Sequence, residues 1–286
     1  MKNKHIVIGI GELLWDILPS GKKAGGAPVN FTFHASQTGA AGYAISALGN
    51  DALGNELMHE LDKNKINYLI EKVDYPTGTV EVTLNEGIPR YVINENVAWD
   101  YIPLTDSMKQ LVSEADAICF GTLAQRSLVS RNTTLALLKL VKADAYRLYD
   151  INLRQHFYSK DIIENSLIHA NSFKVNDEEI EVLKKLFSLD MENEQVCHWF
   201  ISRFGLRLVI LTAGELYSTV YTPDEMSTIE TPKVEVADTV GAGDCFSGVL
   251  ITAFLKGKTL KEAHSMAVNA AAHVCSCQGA WVAHTI

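Results

Sequence analysis

Short β-branched runs alternate with longer helical segments along most of this chain. The pattern predicts strands at His5–Ile10, Tyr43–Leu48, Asn67–Val73, Ala117–Gly121, Arg147–Ile151, Ser172–Val175 and Leu208–Thr212. Several are apolar at every position, as in Ala117-Ile118-Cys119-Phe120, which suits strands covered by helices on both faces. Helical periodicity lies between them, for example at Asn132–Lys142 and Asp177–Phe187. This alternation implies an α/β architecture with a mostly parallel sheet and right-handed crossovers. No long-period repeat and no low-complexity tract interrupts it.

One stretch breaks the rhythm. Thr79–Leu84 alternates with period two, Asn85–Pro89 carries turn residues, and Arg90–Ile93 is again β-rich. These residues predict a hairpin with one apolar face, which needs a partner because an isolated hairpin is marginal in water. It reads either as a lid over a site or as an edge hairpin of the main sheet. Towards the C-terminus, Phe246, Val249, Leu250, Ala253 and Phe254 follow helical spacing up to a Gly257 cap. A capping box at Thr259-Leu260-Lys261-Glu262 opens a second helix striped with Ala263, Ala267, Ala270 and Ala271.

Composition narrows the class. With 286 residues, 47% of them apolar, the chain can bury a large core, as one α/β domain with an appendage or as two modest domains. It has no apolar run long enough to span a bilayer. The apolar stretch after Met-Lys-Asn-Lys is too short for a secretory leader, so a cytoplasmic protein is expected. The five scattered cysteines include Cys275 and Cys277 in a helical pattern, and they read as reduced thiols. A net charge of −9 argues against a nucleic-acid partner. An anionic nucleotide would then be held by local devices: backbone amides, a metal ion or a few basic side chains.

The strongest chemical signal is Asp238-Thr239-Val240-Gly241-Ala242-Gly243-Asp244 at the start of the long helix. The first amides of a helix lack internal partners and sit at the positive end of its dipole. The amides of Gly241, Ala242 and Gly243 therefore form a candidate anion hole for a phosphoryl group. Asp244 beside it could accept the proton of an attacking hydroxyl. With an ordinary pKa of ~4 it would be a poor base toward an alcohol, so the proton would move late. The alternative is an Asp that merely stabilises the helix start. Two rival motifs fail: Gly9-Ile10-Gly11 lacks the third glycine of a dinucleotide fingerprint, and Gly257-Lys258-Thr259 lacks the first glycine of a phosphate loop.

Asp238–Asp244 resembles the D-T-x-G-A-G-D signature of the ribokinase-like (PfkB) carbohydrate kinases. Gly25-Gly26-Ala27-Pro28-Val29-Asn30 resembles their G-G-x-P-x-N sugar loop. Gly49–Gly54, Asn176–Glu179 and Thr212-Ala213-Gly214 match intermediate landmarks. Three stretches resemble fructokinases in particular: Gly11–Asp16, Phe120–Ser127 and Asp150–Arg154. The resemblance spans nearly the whole chain. It implies a three-layer α/β/α sandwich forming one kinase domain over 1–286, with a β lid built mainly from about 77–98 and in part from 12–24. One departure is Tyr217, which stands where the family's nucleotide loop has a glycine.

By this resemblance the chain would phosphorylate a sugar hydroxyl from ATP, with fructose as the first candidate. Ribose, 2-keto-3-deoxygluconate and nucleosides such as adenosine are the alternatives. A non-catalytic sugar-binding regulator is a further reading, which the presence of Asp244 disfavours. Asp16, Gly25, Gly26 and Asn30 would bind sugar hydroxyls, with Arg154 as a basic group for substrate or phosphate charge. Asn176, Thr212, Gly214 and Asn269 would face the nucleotide. Asn269 is expected beside the alanine stripe. Glu179 would approach Mg²⁺ through water, as befits an ion that keeps much of its hydration. The acid-rich start of the helix at Asp177 is the plainer explanation of Glu179. The family also implies a monovalent cation such as K⁺ near the Asp238–Asp244 loop and a homodimer through the lid.

Overall fold

The computed structural model describes residues 4–18, 21–85 and 88–284, with backbone alone for 82–91. Its strands are β1 (Ile6–Ile10), β2 (Leu14–Leu18), β3 (Gly21–Gly25), β4 (Ala41–Gly49), β5 (Asn67–Val73), β6 (Gly78–Asn85) and β7 (Ile88–Ile93), followed by β8 (Ala117–Gly121), β9 (Tyr146–Asp150), β10 (Ser172–Asn176), β11 (Leu208–Ala213), β12 (Tyr217–Tyr221) and β13 (Met226–Glu230). Its helices are α1 (Ala27–Gln37), α2 (Ala52–Lys63), α3 (Asp106–Ser113), α4 (Leu128–Leu138), α5 (Lys160–His169), α6 (Asp177–Phe187), α7 (Asn193–Phe204), α8 (Ala242–Leu255) and α9 (Leu260–Cys275).

The main sheet has the order β13-β12-β11-β10-β9-β8-β1-β4-β5. Strands β11 to β5 along that order pair in parallel, and β12 and β13 add an antiparallel edge. The all-apolar strands feed two cores by simple alternation. Ile8, Ile10, Ile118, Phe120, Val209 and Leu211 pack under α3 to α7. Val7, Ala117, Cys119, Leu208 and Ile210 pack under α1, α8 and α9. Each fully buried side chain of this size contributes about 1.5–3 kcal/mol. Helix α2 lies on the side of α1, with Leu57 and Leu61 against Leu13, Trp15 and Phe33. The result is the three-layer sandwich that the family resemblance implied, around the parallel sheet that the alternation implied.

A second sheet, β3-β2-β6-β7, stands apart from the first. β2 pairs antiparallel with β3 and parallel with β6, and β6 pairs antiparallel with β7. The hairpin therefore does not edge the main sheet, because its partner is β2. The turn residues at 86–87 and the side-chain alternation along 82–91 lie outside the described residues. Behind β7 the chain is tied to the main body by Arg126. Its guanidinium bonds Asp100 at 2.8 Å and the Asn94 carbonyl at 2.6 Å. It also lies 4.0 Å over the Trp99 ring, a desolvated cation–π contact.

Several boundaries differ from the sequence expectation. Helix α4 spans Leu128–Leu138 where Asn132–Lys142 was expected; its first residues, Leu128 and Val129, are exposed, at 67% and 44%, and so lie off the apolar stripe. β12 and β13 were not predicted. Tyr217 opens β12 opposite Ala213, so it needs no left-handed backbone; Gly214 takes the positive φ of 51° instead. Cys275 ends α9 and Cys277 lies past it, so the pair does not share a helix.

Candidate functional site

The strand order reverses between β1 and β8, and in open parallel sheets the crevice beyond such a reversal is where ligands bind. At this crevice a small cavity is bounded by Glu12, Gly121, Asp150, Asn152 and Asp244. Asp150 ends β9. Lys174, on the neighbouring strand β10, places Nζ 2.8 Å from Asp150 Oδ2, and both side chains are buried.

The start of α8 meets this pair from the other side. Its N-cap, Gly241, has φ 80° and ψ −4°, and no side chain caps the helix. A Cβ at Gly241 would stand 2.7 Å from Ala280 Cβ, so the turn needs glycine for both backbone and space. The Ala242 amide turns back to the Thr239 carbonyl at 3.3 Å. This narrows the expected anion hole, and the amides of Gly243 and Asp244 remain at the helix mouth without an intrahelical acceptor. A Cβ at Gly243 would lie 3.2 Å from Lys174 Nζ, so the ammonium group rests against that mouth. Helix dipole and buried cation together favour an anion there.

Asp244 occupies the first turn of α8 and accepts a 2.8 Å hydrogen bond from Asn30 Nδ2. Helices α1 and α8 approach closely enough for this because Gly248 faces the Phe31 carbonyl, where a Cβ would stand at 2.6 Å. Burial, with the charge of Asp150 added, pushes the Asp244 carboxyl up to about 7. Lys174 and the Asn30 amide pull the other way, and Glu12 adds to the rise. This corrects the expectation of an ordinary, weak carboxylate base. Burial opposes the charge on Lys174, but Asp150 and Asp244 outweigh it and hold the ammonium above its usual range. Glu12 is raised by burial, and its Oε2 has no hydrogen-bond partner.

The remaining predicted residues divide into those at the crevice and those near the ends of β10 and β11. Asp16 lies on β2, raised by burial against the pull of Lys23 and Arg154. Gly25 is its neighbour, since a Cβ there would stand 3.2 Å from Asp16 Oδ2, and Gly26 is the N-cap of α1. Arg154 is exposed, yet its charge acts on both Glu12 and Asp16. Asn176 and Thr212 are register partners at the ends of β10 and β11. Asn176 Oδ1 caps α6 by accepting from the Glu178 and Glu179 amides. Gly214 forms the exposed turn after β11. Asn269 is exposed on α9, off the buried line of Ala263, Ala267 and Ala270.

Glu179 is 8% exposed and accepts the Leu153 amide at 2.8 Å and the Asn176 amide at 2.9 Å. Each oxygen keeps one acceptor position. That donor set fits a metal-bound water better than the ion itself.

Sequence reasoning missed Lys174, Asp150 and Glu12 as site residues. Lys174 carried a usable signal: a lone cation in the otherwise apolar strand Ser172-Phe173-Lys174-Val175 demands a buried partner.

Comparison with known proteins identifies the family and the fold. A family model described as "pfkB family carbohydrate kinase" matches residues 20–284. The crystal structure of an uncharacterized sugar kinase from Pyrococcus horikoshii, in complex with ATP, superposes with a TM-score of 0.82 at 27% identity, covering 96% of this chain and 94% of that one. An ATP-dependent 6-phosphofructokinase from Thermoanaerobacterium thermosaccharolyticum is 26% identical over 98% of this chain and 90% of its own. Fructokinase-2 from Zea mays is 28% identical over 90% of this chain and 82% of its own. Among the described residues no helix is long and apolar enough to cross a membrane.

Proposed function

Because this chain belongs to the pfkB family of carbohydrate kinases, we propose that it transfers the γ-phosphoryl group of ATP to a hydroxyl of D-fructose, giving fructose 6-phosphate. The observation that carries the reading is Asp244, hydrogen-bonded to Asn30 at 2.8 Å and set at the mouth of an uncapped helix. Residues 1–286 act as one kinase domain, with the β2-β3 and β6-β7 segments as its lid.

Sugar hydroxyls are bound by Asp16, Asn30 and the amides of Gly25 and Gly26, with Arg154 supplying positive charge at the rim. The hydroxyl oxygen bonds to phosphorus while the bond to the β–γ bridging oxygen breaks and ADP leaves. The hydroxyl proton passes to the Asp244 carboxylate. Amides at the start of α8 and the ammonium of Lys174 stabilise the transferred group as it moves. Asn176, Thr212 and Gly214 flank the nucleotide. Glu179 would hold Mg²⁺ through water, and the ion would supply neutralisation of phosphate charge. The transition state of such transfers is loose in most analyses, so orientation contributes more than base strength.

The ATP complex of the Pyrococcus relative supports the phosphoryl donor. The Zea mays fructokinase supports the sugar. An ADP-release assay over fructose, fructose 6-phosphate, ribose, 2-keto-3-deoxygluconate and adenosine tests both. The expected result is the highest kcat/KM with fructose. A preference for another acceptor overturns the sugar, and no turnover with any overturns the kinase reading.

The raised carboxyl of Asp244 gives this site a pH signature. A base must be ionised to act, so kcat/KM should climb as pH rises through about 7 and level off above it. A profile flat down to about pH 5 would exclude Asp244 as the titrating base.

A further inference from the structure

The chain after α9 runs back across the mouth of the site, and successive residues of this strap hold different parts of it. Gln278 Nε2 donates to the Ala237 carbonyl at 3.0 Å, and the Gly279 amide donates to Asp238 Oδ2 at 3.1 Å. Ala280 fills the space that a Cβ on Gly241 would take, and its carbonyl accepts from His34 Nε2 at 2.9 Å. Trp281 Nε1 donates to Asn30 Oδ1 at 2.8 Å.

The last contact has a chemical consequence. An asparagine side chain offers an acceptor on one atom and donors on the other, whereas an indole N–H can only donate. Trp281 can therefore bond only the Oδ1 end of Asn30. That leaves Nδ2 to face Asp244, where it donates at 2.8 Å. Without the indole, nothing in this contact opposes rotation of the amide, and a rotated Asn30 would aim its carbonyl oxygen at the carboxylate.

We propose that Trp281 is a positioning residue for phosphoryl transfer, its indole N–H holding Asn30 so that a donor and not an acceptor meets Asp244. The proposal rests on the reading of Asp244 as the base. It assigns a task to a residue distant in sequence from both motifs that define the site.

Asp244 is faced by Asn30 from α1, Asp150 from β9, Lys174 from β10 and Glu12 beyond β1. Cys119 of β8 and the adjacent Cys245 are neutral thiols, pushed up by burial. Of these groups only Asn30 is bonded by the indole, so a shift in the Asp244 titration reports the Asn30 bond. That bond favours the ionised form, so its loss should raise the carboxyl pKa.

The test uses Trp281→Phe, which keeps an aromatic ring on the half-buried side chain, and Trp281→Leu, which does not. Carboxyl carbon NMR follows the titration of Asp244 without substrate, and ADP release gives kcat and KM. Both variants should titrate at higher pH than the wild type by the same amount. Their kcat should fall roughly tenfold, with the nucleotide KM within about twofold. An unmoved titration in both variants overturns the proposal. So does a shift graded with side-chain size, since that marks packing and not the hydrogen bond. Were the wild-type chain to phosphorylate no sugar, the kinase reading would fall, while the NMR titration would still judge the link from Trp281 to Asp244.

Discussion

Asp244→Asn should lower kcat by roughly two to four orders of magnitude while leaving sugar binding within a few-fold of wild type. The substitution keeps the shape of the side chain and an oxygen to accept from Asn30, whose amide bonds Asp244 at 2.8 Å in the native chain. It removes only the capacity to take a proton. Stability should move the opposite way. The native carboxyl is pushed up to about 7 by burial and by Asp150. A carboxyl whose folded pKa lies above its unfolded value costs stability as pH rises between the two, and the full cost is present above the folded pKa. An asparagine escapes this cost. At about pH 8 the variant should therefore be more stable by roughly 1–3 kcal/mol, after allowance for partial exposure. Thermal melts beside isothermal titration with sugar provide the check. Near-normal turnover would end the assignment of Asp244 as base. A lower melting temperature at that pH would mean that the carboxylate is better compensated than burial and Asp150 indicate.

Lys174→Met should damage the protein twice, and the two effects separate. Lys174 pairs with Asp150 at 2.8 Å, and the side chains are only 11% and 9% exposed. Removing one partner of a buried pair leaves the other charge uncompensated, at a cost of about 3–5 kcal/mol. For a chain of this length that lowers Tm on the order of 10 °C. Replacing both partners, with Lys174→Met and Asp150→Leu together, should restore much of the stability, because buried pairs often exchange for apolar residues at little net cost. Turnover should not return. The ammonium also lies beside Gly243 at the helix mouth, where a Cβ would stand 3.2 Å from Nζ. A double variant that is both stable and fully active would show that Lys174 serves the fold alone. Asp244, which Lys174 holds down electrostatically, should titrate higher in Lys174→Met, moving the acidic limb of the rate profile upward.

The parallel sheet was legible because the burial of each strand is written into its own residues. Ala117-Ile118-Cys119-Phe120 is apolar throughout, and alternate members do enter opposite cores. Helix α6 was legible from Asp177 to Phe187, because its acidic first turn and apolar stripe are local. The antiparallel edge of β12 and β13 was not. Tyr217–Tyr221 does carry aromatic and β-branched residues before the turn at Pro223-Asp224, but its antiparallel pairing with Met226–Glu230 depends on the sheet beside them.

Local chemistry is what the sequence by itself determined: a helix opening after Gly241, a carboxylate three residues on, and a glycine-rich turn before Asn30. Each depends on backbone conformation and on neighbours within one helical turn. Only the tertiary structure decided that Asn30 meets Asp244 and Trp281, and that Asp150, Lys174 and Glu12 surround them. Those residues approach because parallel strands end together at one edge of the sheet while helix α8 arrives from another layer. The elevated Asp244 carboxyl follows from that convergence, since desolvation and like charge belong to the assembled crevice and to no segment alone.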